Sequence, residues 1–548
     1  MEEFNIPRTP SAYDYPLLIG HLLSTLEVRQ PEQHIVYAEH CRLEYRTFRD
    51  RIHRLANALV ELGVTPGDTV AVMDWDSHRY LECFFAVPMI GAVLHTINIR
   101  LAPEQILYTM NHATDVVVLV HDDFLPLAAT LAPQLPAVRN WIRLAEDTSV
   151  PAPEEFDLPL CGEYESLLQK ESTQHAMRDF DERIRATTFY TTGTTGNPKG
   201  VYFSQRQIVL HTLAVGVALS SPADQGRLHE ADVYMPITPM FHVHAWGIPY
   251  VATLLGIKQV YPGRYEPAKL LSLIDREGVT FSHCVPTILH MLLSDPLAEQ
   301  IDLSRWKVII GGSALPPALA QRALDLGIDI FGGYGMSETG PVLTLAHLTP
   351  ERDGVNGAKS LETRCKAGRT IPLVDLKIVD PDFNELPADG KNAGEVAVRA
   401  PWLTQGYLTD PERSEALWKN GYLHTGDIGQ LDGAGYLKIT DRLKDVIKSG
   451  GEWISSLELE DIALACSGVS EAAAIGIADE KWGERPLVLV VASQEGTDSG
   501  AIIAKFSQAA DEGRISGWAI PQSIEFVDSI PKTSVGKIDK KLLREHYG

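Results

Sequence analysis

The sequence predicts an α/β fold, and three observations support this. Between Tyr45 and Val120, helical periodicity alternates with continuous apolar runs of strand length. Apolar runs at residues 308–312 and 328–335 pass directly into glycines, as strands do at the ligand-binding edge of an open α/β sheet. After about residue 380 the pattern changes to short strands and turns. We therefore expect a large N-terminal part of α/β sheets with a β-rich subdomain, followed by a small, mobile α/β C-terminal domain.

Each predicted element follows from its own pattern. Residues 47–62 have the apolar spacing of an amphipathic helix, residues 69–73 form a buried-strand run, and residues 79–90 return to helical periodicity. Strands are expected at 394–398 and 435–439 in the β-rich part. Near Asp441, charged residues and the pair Gly450-Gly451 interrupt the pattern. We place the boundary between two domains there, giving residues 1–440 and 441–548.

Length and charge restrict the classes of function. A chain of 548 residues is too long for one ordinary core, and a hydrophobic content of 45% is enough to build at least two domains. Forty-eight basic against 72 acidic residues leave a formal charge of −24, which argues against general affinity for nucleic acid or anionic membrane surfaces. An anionic ligand must therefore be held by local sites.

The cysteines and the N-terminal segment favour a protein of the reducing cytosol. The six cysteines lie far apart without a C-x-x-C pair, so we expect buried free thiols and neither a disulfide scaffold nor a zinc site. The first residues, MEEFN, lack the basic and apolar regions of a signal peptide. The longest apolar stretch, residues 84–94, is short and broken by Pro88 and Gly91. We expect no membrane span and a cytoplasmic location.

The segment most informative about function is residues 190–200, YTTGTTGNPKG. Its glycines allow backbone conformations closed to other residues, its threonines offer hydroxyl donors, and Lys199 adds a positive charge. This composition suits the phosphate oxyanions of a nucleoside triphosphate. The Walker pattern does not fit, because Lys199 precedes the final glycine and no Ser or Thr follows. A Thr- and Gly-rich surface turn is the alternative.

Four further motifs follow in order: GYGMSET at 333–339, YLHTGD at 422–427, DRLKD at 441–445 and PKTSVGK at 531–537. Together with the phosphate loop they resemble the motif set of the adenylate-forming enzymes, which include acyl-CoA synthetases, luciferases and peptide-synthetase adenylation domains. The resemblance runs from about Tyr45 to Lys541. Two more segments, FHVHAW at 241–246 and KSGGEWISS at 448–456, are similar to the fatty acyl-CoA synthetase branch, including medium-chain, long-chain and methylthioalkanoate ligases.

The resemblance implies the adenylate-forming fold and an enzyme that uses ATP, Mg²⁺ and coenzyme A. It would make acyl-AMP and pyrophosphate first, and then transfer the acyl group to the thiol of coenzyme A. Two anions must meet in the first step, so the site needs positive charge placed for the transition state. Lys537 resembles the lysine that swings in to bridge the carboxylate and the α-phosphate, as the C-terminal domain rotates about Asp441. A solvated lysine is the ordinary alternative.

The metal and nucleotide residues are also implied by the resemblance. Glu338 resembles the Mg²⁺ ligand, with Thr191 supplying a second oxygen, and Mg²⁺ usually takes only one or two protein carboxylates. Tyr334 resembles the aromatic that stacks on adenine. Asp427, an acceptor only, suits the ribose hydroxyls, with Arg442 assisting. The alternatives are a Glu that only favours a helix dipole, a core tyrosine and a turn-forming Asp. The residues assigned to ATP or AMP are Thr191, Thr192, Gly193, Thr194, Thr195, Lys199, Gly312, Ser313, Gly332, Gly333, Tyr334, Gly335, Ser337, Thr339, Asp427, Arg442, Lys444 and Lys448.

The acid and coenzyme A sites come from the branch-specific segments. Trp246 matches a gating tryptophan at the acyl tunnel, with core packing as the alternative. Val243 is assigned with Trp246 to the substrate and coenzyme A site. His242 is placed among the catalytic residues with Lys537 and Glu338. Strand alternation would put His242 and His244 on one face, but no third ligand for a metal is apparent. The coenzyme A channel is assigned to Gly450, Gly451, Glu452 and Trp453.

The choice of acid stays open at this point. The family usually carries an amide where this chain has His244, and a His where it has Gln205. We expect an aliphatic acid of medium to long chain, with a 3-methylthiopropionate-like or aryl-propenoic acid as alternatives. A luciferase-type monooxygenase and a carrier-protein-loading adenylation enzyme are the other classes, and Lys537 with Glu338 argue against a non-enzymatic adenylate sensor. The expected partners are the acid, ATP and coenzyme A, without nucleic acid, and a homodimer is left open.

Overall fold

A computed structural model describes residues 6–7, 9–24, 26–151, 156, 158–191, 197–354, 356–449, 452–479, 481–493, 497–532 and 538–548, except for the side chains of residues 27, 28, 452 and 453. In chain order the strands are β1 His34–Tyr37, β2 Cys41–Glu44, β3 Thr69–Met73, β4 Val93–Thr96, β5 Asp115–His121, β6 Asn140–Leu144, β7 Leu160–Glu163, β8 Arg185–Thr191, β9 Lys199–Ser204, β10 Val233–Pro236, β11 Lys258–Tyr261, β12 Phe281–Cys284, β13 Lys307–Ile310, β14 Asp329–Gly335, β15 Val342–Leu345, β16 Arg369–Thr370, β17 Asp375–Val379, β18 Ala393–Arg399, β19 Trp418–Lys419, β20 Tyr422–Leu431, β21 Leu437–Arg442, β22 Ile447–Ser449, β23 Glu452–Ile454, β24 Val469–Asp479, β25 Gly483–Ala492 and β26 Ser523–Phe526.

Helices connect most of these strands. The α-helices are Leu26–Arg29, Tyr45–Glu61, His78–Met89, Pro103–Ala113, Leu125–Leu131, Tyr164–Leu168, Gln205–Ser220, Ile248–Leu255, Pro267–Glu277, Pro286–Ser294, Pro317–Asp325, Pro350–Asp353, Ala358–Arg364, Pro411–Ala416, Ser456–Leu464, Ser499–Asp511 and Lys540–Tyr547. Short 3₁₀ turns are Ile19–Leu23, Asp122–Phe124, Ala132–Gln134, Pro296–Glu299, Ser337–Thr339 and Gly517–Ala519.

Among the described residues, the first sheet has the strand order β7-β6-β5-β3-β4-β8-β9 and is parallel except for the β8-β9 hairpin. All five residues of β3 are buried, as the continuous apolar run predicted. Alternate residues serve two cores: Val70 and Val72 pack with helices Tyr45–Glu61 and His78–Met89 on one face, whereas Ala71 and Met73 pack with Pro103–Ala113 and Leu125–Leu131 on the other. Coverage of both faces explains why the strand sequence is apolar throughout.

The second sheet has the order β16-β15-β14-β13-β12-β10-β11-β1-β2 and is parallel from β14 through β1. Strands β13 and β14 are the apolar runs that were expected to end in glycines. Gly311 and Gly312 lie at the carboxyl end of β13, and the GYGMSET segment lies at the carboxyl end of β14. In an open parallel sheet, that edge is where ligands bind.

The predicted β-rich part is a separate antiparallel sheet of order β17-β18-β20-β19, with β21 paired to β20. It brings Asp427 on β20 opposite Arg442 on β21. The last sheet has the order β23-β22-β25-β24, with β26 beside β25. Helices Ser456–Leu464 and Ser499–Asp511 pack on this sheet and form a separate hydrophobic core with it. The mixed α/β architecture with a small C-terminal α/β unit is confirmed, while the boundary at residue 441 stays a prediction.

Two expectations need correction. Cys161 is exposed, and Cys41 and Cys365 are only half-buried, so the prediction of six buried thiols is wrong for these three. Residues 243–246 are not in a strand, so the alternation that would put His242 and His244 on one face does not occur. As for the membrane, no helix of the described residues is long and apolar enough to span one.

Candidate active site

Glu338 lies in the Ser337–Thr339 turn that follows β14, with its side chain almost buried. The hydroxyl of Tyr407 donates a 2.7 Å hydrogen bond to Glu338 Oε1, and Thr404 N donates to the Glu338 carbonyl at 3.0 Å. Burial of a carboxylate is costly unless it is hydrogen bonded, so the phenol stabilises it there. This hydrogen bond holds one oxygen of the Glu338 carboxylate in place.

Two glycines of the predicted nucleotide site are required by the protein's own backbone. A Cβ on Gly332 would lie 2.2 Å from the carbonyl oxygen of Lys366, and one on Gly335 would lie 1.7 Å from that of Pro341. Such distances exclude any side chain at either position. Gly332 was assigned to the ATP site, and the structure shows that the chain following helix Ala358–Arg364 approaches it too closely for a side chain.

Tyr334 and Asp427 meet beside the carboxyl edge of β14. The Tyr334 hydroxyl donates to Asp427 Oδ2 at 2.7 Å, and Arg442 Nε lies 3.4 Å from Asp427 Oδ1. Burial, followed by the charge of Asp427, raises the pKa of Tyr334, so the phenol stays neutral and donates. The structure thus brings together three predicted nucleotide residues from three separate motifs.

The phosphate motif is the connection of an antiparallel hairpin. Strands β8 and β9 pair up to Tyr190 with Gly200 and Thr191 with Lys199. The predicted loop residues Thr192, Gly193, Thr194 and Thr195 lie outside the described residues. At the base of the loop the Lys199 ammonium lies 4.6 Å from the ring centroid of Tyr407, the residue that binds Glu338.

The FHVHAW segment forms a left-handed turn. Val243, His244, Ala245 and Trp246 have φ values of 50°, 54°, 47° and 59°, and Gly247 continues at 72°. Such a conformation costs roughly 1–2 kcal/mol per non-glycine residue, so tertiary contacts must hold it. Trp246 is 6% exposed and stacks on His283 with ring centroids 4.8 Å apart. The other end of its indole packs against Gly311, at the carboxyl end of β13.

Three neutral histidines lie in or beside this turn. His244 Nε2 lies 2.6 Å from Thr187 Oγ1, His211 Nε2 accepts from Val342 N at 3.2 Å, and His283 Nε2 lies 2.8 Å from the Tyr234 hydroxyl. Burial lowers the pKa of each to about 3. The half-buried His242 precedes the turn. These three imidazole rings near Trp246 are therefore uncharged near neutral pH.

The residues after β21 form turns and strands. Lys444 lies in the turn after β21, and Lys448 lies in β22. Burial, followed by the charge of Arg442, lowers the pKa of Lys444. Lys537, Gly450 and Gly451 lie outside the described residues, as do the side chains of Glu452 and Trp453.

The remaining residues predicted for the nucleotide site differ in solvent exposure. Ser313 is exposed after β13, and Ser337 is half-buried beside Glu338. Thr339 is fully buried, and its hydroxyl bonds the carbonyls of Met336 and Pro341, so this side chain serves the turn. Tyr407 was not identified from the sequence, because it lies 69 residues from Glu338 in a segment without a recognised motif.

The oxygen atoms of the candidate site indicate which metal ion it could hold. Within the described part of the chain, no three His, Cys, Asp or Glu side chains are grouped to hold a metal by themselves. One carboxylate and one hydroxyl, from Glu338 and Thr191, are oxygen donors that suit Mg²⁺ when water and phosphate oxygens complete its shell. The residues present fit a magnesium ion that arrives with a nucleotide.

Residues 26–408 match the family described as AMP-binding enzyme, and residues 458–537 match its C-terminal domain. A Thermus thermophilus protein named long-chain-fatty-acid–CoA ligase is 41% identical over 511 residues, covering 92% of this chain and 90% of the relative. A medium-chain-fatty-acid–CoA ligase of Ectopseudomonas oleovorans is 37% identical over 503 residues, covering 91% and 89%. A 3-methylmercaptopropionyl-CoA ligase of Ruegeria lacuscaerulensis is 36% identical over 541 residues, covering 97% of both chains.

Solved structures show the same architecture. That of an anthranilate CoA ligase in complex with anthranoyl-AMP superposes with a TM-score of 0.84 at 24% sequence identity, covering 97% of this chain and 98% of that one. At this level of identity the likeness concerns the fold, and it confirms the predicted fold class.

Proposed function

Because the chain belongs to the AMP-binding enzyme family and is an ATP-dependent acyl-CoA ligase, we propose that its substrate is an aliphatic monocarboxylic acid of medium to long chain. The observation that carries this proposal is the uncharged environment of the left-handed turn. Trp246 is enclosed by His283 and the glycine end of β13, and the nearby His211, His244 and His283 are neutral near pH 7. Such a site favours an alkyl chain over a second carboxylate.

We infer the nucleotide contacts from the geometry around β14. Tyr334 provides an aromatic face for adenine, and Asp427, held by Tyr334 and Arg442, accepts from the ribose hydroxyls. The hairpin loop after β8 holds the phosphates, with Lys199 at its base. Glu338 and Thr191 hold Mg²⁺. When bound, that ion neutralises phosphate charge and orients the phosphates.

In this proposal Lys537 supplies the positive charge for the first half-reaction. The substrate carboxylate attacks the α-phosphorus, the α,β-phosphoanhydride bond breaks, and pyrophosphate leaves. Lys537 lies between the two reacting anions and stabilises the charge that develops. In the second half-reaction the sulfur of coenzyme A attacks the acyl carbon, the thiol proton is lost, and AMP leaves. Gly450, Gly451, Glu452 and Trp453 line the channel for the thiol arm.

The acid could also be smaller. A 3-methylthiopropionate-like acid is the second candidate, because the Ruegeria relative at 36% identity carries that activity in its name. An aryl-propenoic acid is a third. The CoA-ligase names of the relatives favour a ligase over a luciferase-type monooxygenase or a carrier-protein-loading enzyme. A cytoplasmic location and a homodimeric assembly stay proposals.

AMP release across a panel of acids, with and without coenzyme A, tests the assignment. The panel contains butanoate, octanoate, dodecanoate, hexadecanoate, 3-methylthiopropionate, cinnamate and a dicarboxylate of matched length. We expect AMP release that depends on coenzyme A, with kcat/KM highest for the C8 to C16 acids and lowest for the dicarboxylate. A maximum at 3-methylthiopropionate would select the second candidate, and turnover of the dicarboxylate would contradict the uncharged acid site.

A further inference from the structure

Residues 402–409 form a strap between two parts of the active site. On one side it is bound to the hairpin that carries the phosphate loop. Leu408 N donates to the carbonyl of Gly200 at 2.8 Å, and Thr404 Oγ1 donates to that of Tyr202 at 2.8 Å. An isolated antiparallel β-bridge between Val201 and Tyr407 extends this backbone pairing along β9.

On its other side the strap is bound to the turn that carries Glu338. Thr404 N donates to the carbonyl of Glu338 at 3.0 Å, and the buried Trp402 donates through Nε1 to that of Thr339 at 3.0 Å. The Tyr407 hydroxyl completes the set through its 2.7 Å bond to Glu338 Oε1. A single segment thus fixes the metal carboxylate and the base of the phosphate loop relative to each other.

Tyr407 is suited to this role by its environment. Its side chain is 7% exposed, and its hydroxyl donates to the adjacent Glu338. The Lys199 ammonium lies 4.6 Å from the ring centroid, within the range of a cation–π contact. One aromatic ring therefore contacts the loop lysine through its face and the metal carboxylate through its hydroxyl.

We propose that Tyr407 is a positioning residue for Glu338: its hydroxyl holds Oε1 and thereby keeps the carboxylate in one orientation for binding the metal ion. The inference rests on the proposed role of Glu338 in binding Mg²⁺. A carboxylate that binds a metal is commonly held by such an outer partner, and loss of the partner weakens metal affinity by about 10- to 100-fold. Tyr407 itself does not touch the ion in this arrangement.

Tyr407→Phe separates this role from packing, because it keeps the ring and its contact with Lys199 and removes only the hydroxyl. Binding of Mn²⁺, as a paramagnetic probe of the magnesium site, is measured by electron paramagnetic resonance in the presence of a non-hydrolysable ATP analogue. We expect the Mn²⁺ dissociation constant to rise at least 10-fold, with kcat at saturating Mg²⁺ reduced less than threefold. Tyr422→Phe is the matched control, because Tyr422 donates a 2.7 Å bond to Asp375 in the β-rich sheet.

Three outcomes are informative. Unchanged Mn²⁺ affinity in Tyr407→Phe, alongside a large loss in Glu338→Gln, would overturn the positioning role and leave the proposed function intact. Unchanged affinity in Glu338→Gln would overturn the metal assignment itself. Additivity provides the final check: if Tyr407→Phe weakens Mn²⁺ binding equally in the wild-type and Glu338→Gln backgrounds, Tyr407 does not act through Glu338 and the inference is wrong.

Discussion

His244 shows how burial decides the charge of a single residue. It is 1% exposed, lies between the rings of Phe84 and Phe189, and contacts Thr187 Oγ1 through Nε2. Burial lowers its pKa to about 3, and the neighbouring His211 adds to the effect. The imidazole is therefore neutral in the folded protein, whereas in the unfolded chain it titrates near its usual pKa of about 6.5.

His244→Gln is expected to reduce the acid sensitivity of folding. Between pH 6.5 and about 3 the folded state binds fewer protons at this residue than the unfolded state, so the residue's contribution to stability is lost as the pH falls. At pH 5 this loss amounts to about 2 kcal/mol. Glutamine cannot titrate and can still bond Thr187. Denaturant unfolding of both proteins at pH 7.5 and pH 5 measures the difference.

The exposed His290 provides the control for this experiment, because it lies on the surface of helix Pro286–Ser294. His290→Gln is expected to leave the pH dependence of unfolding as in the wild type. Equal pH dependence of the wild type and His244→Gln would show that His244 is charged or solvated in the folded protein.

At the scale of elements, the left-handed turn at 243–246 is the most unusual feature of the fold. Four consecutive non-glycine residues have positive φ, a conformation that is unfavourable without tertiary support. Support comes from the contact of His244 with Thr187 and from the stacking of Trp246 on His283. The turn directs the indole to the carboxyl end of β13, where the acyl group is proposed to pass.

Trp246→Ala tests whether this indole governs acyl access. We expect a changed preference among acids of different chain length, with ATP binding largely retained because the proposed adenine and phosphate contacts come from other segments. Each methylene is worth only about 1–3 kcal/mol in such a pocket, so the change in kcat/KM ratios will be limited. The measurement is the chain-length profile together with thermal unfolding.

Trp141 serves as the comparison, because it is 2% exposed in the other core of the first sheet. Trp141→Ala should lose roughly 3–5 kcal/mol of stability without any selective change among acids. If Trp246→Ala behaves in the same way, the indole is a core residue and the hypothesis that it gates acyl access is wrong.

At the scale of the whole molecule, Asp441 lies where the β-rich sheet meets the C-terminal unit. Its buried carboxylate accepts from Ser456 N at 2.6 Å and from Ser456 Oγ at 3.0 Å, at the start of helix Ser456–Leu464. The preceding carbonyl, of Thr440, accepts from the Ser455 hydroxyl. These contacts tie β21 to the first helix of the C-terminal unit, at the residue proposed as the pivot.

Asp441→Pro is expected to fix φ near about −65° and to hold the molecule in one orientation. One half-reaction should then be lost while the other is retained, measured as acyl-AMP formation from acid and ATP and as thioester formation from supplied acyl-AMP. Asp441→Asn keeps the backbone freedom and should support both. Lys537→Ala gives the reference for selective loss of adenylation, about 10²–10³ in rate. A proline variant that performs both half-reactions at wild-type rates would place the pivot elsewhere.

Several parts of this structure could be predicted from local sequence. The buried run at 69–73, the helix that begins at Tyr45 and the glycine-terminated strands β13 and β14 all follow from periodicity, which depends only on neighbouring residues. The left-handed turn could not be predicted, because its φ values oppose the intrinsic preference of Val, His, Ala and Trp and depend on distant contacts. The exposure of Cys161 likewise depends on what packs over it.

The sequence by itself determined the motif set, and with it the family, the ATP-dependent chemistry and the set of candidate residues, because these depend on residue type and order along the chain. Tertiary structure alone decided which residues meet. It joined Tyr407 to Glu338 across 69 positions, Tyr334 to Asp427 across 93, and the segment at 402–409 to both halves of the site. Contacts between distant residues depend on how sheets and loops pack, and local patterns carry no record of that packing.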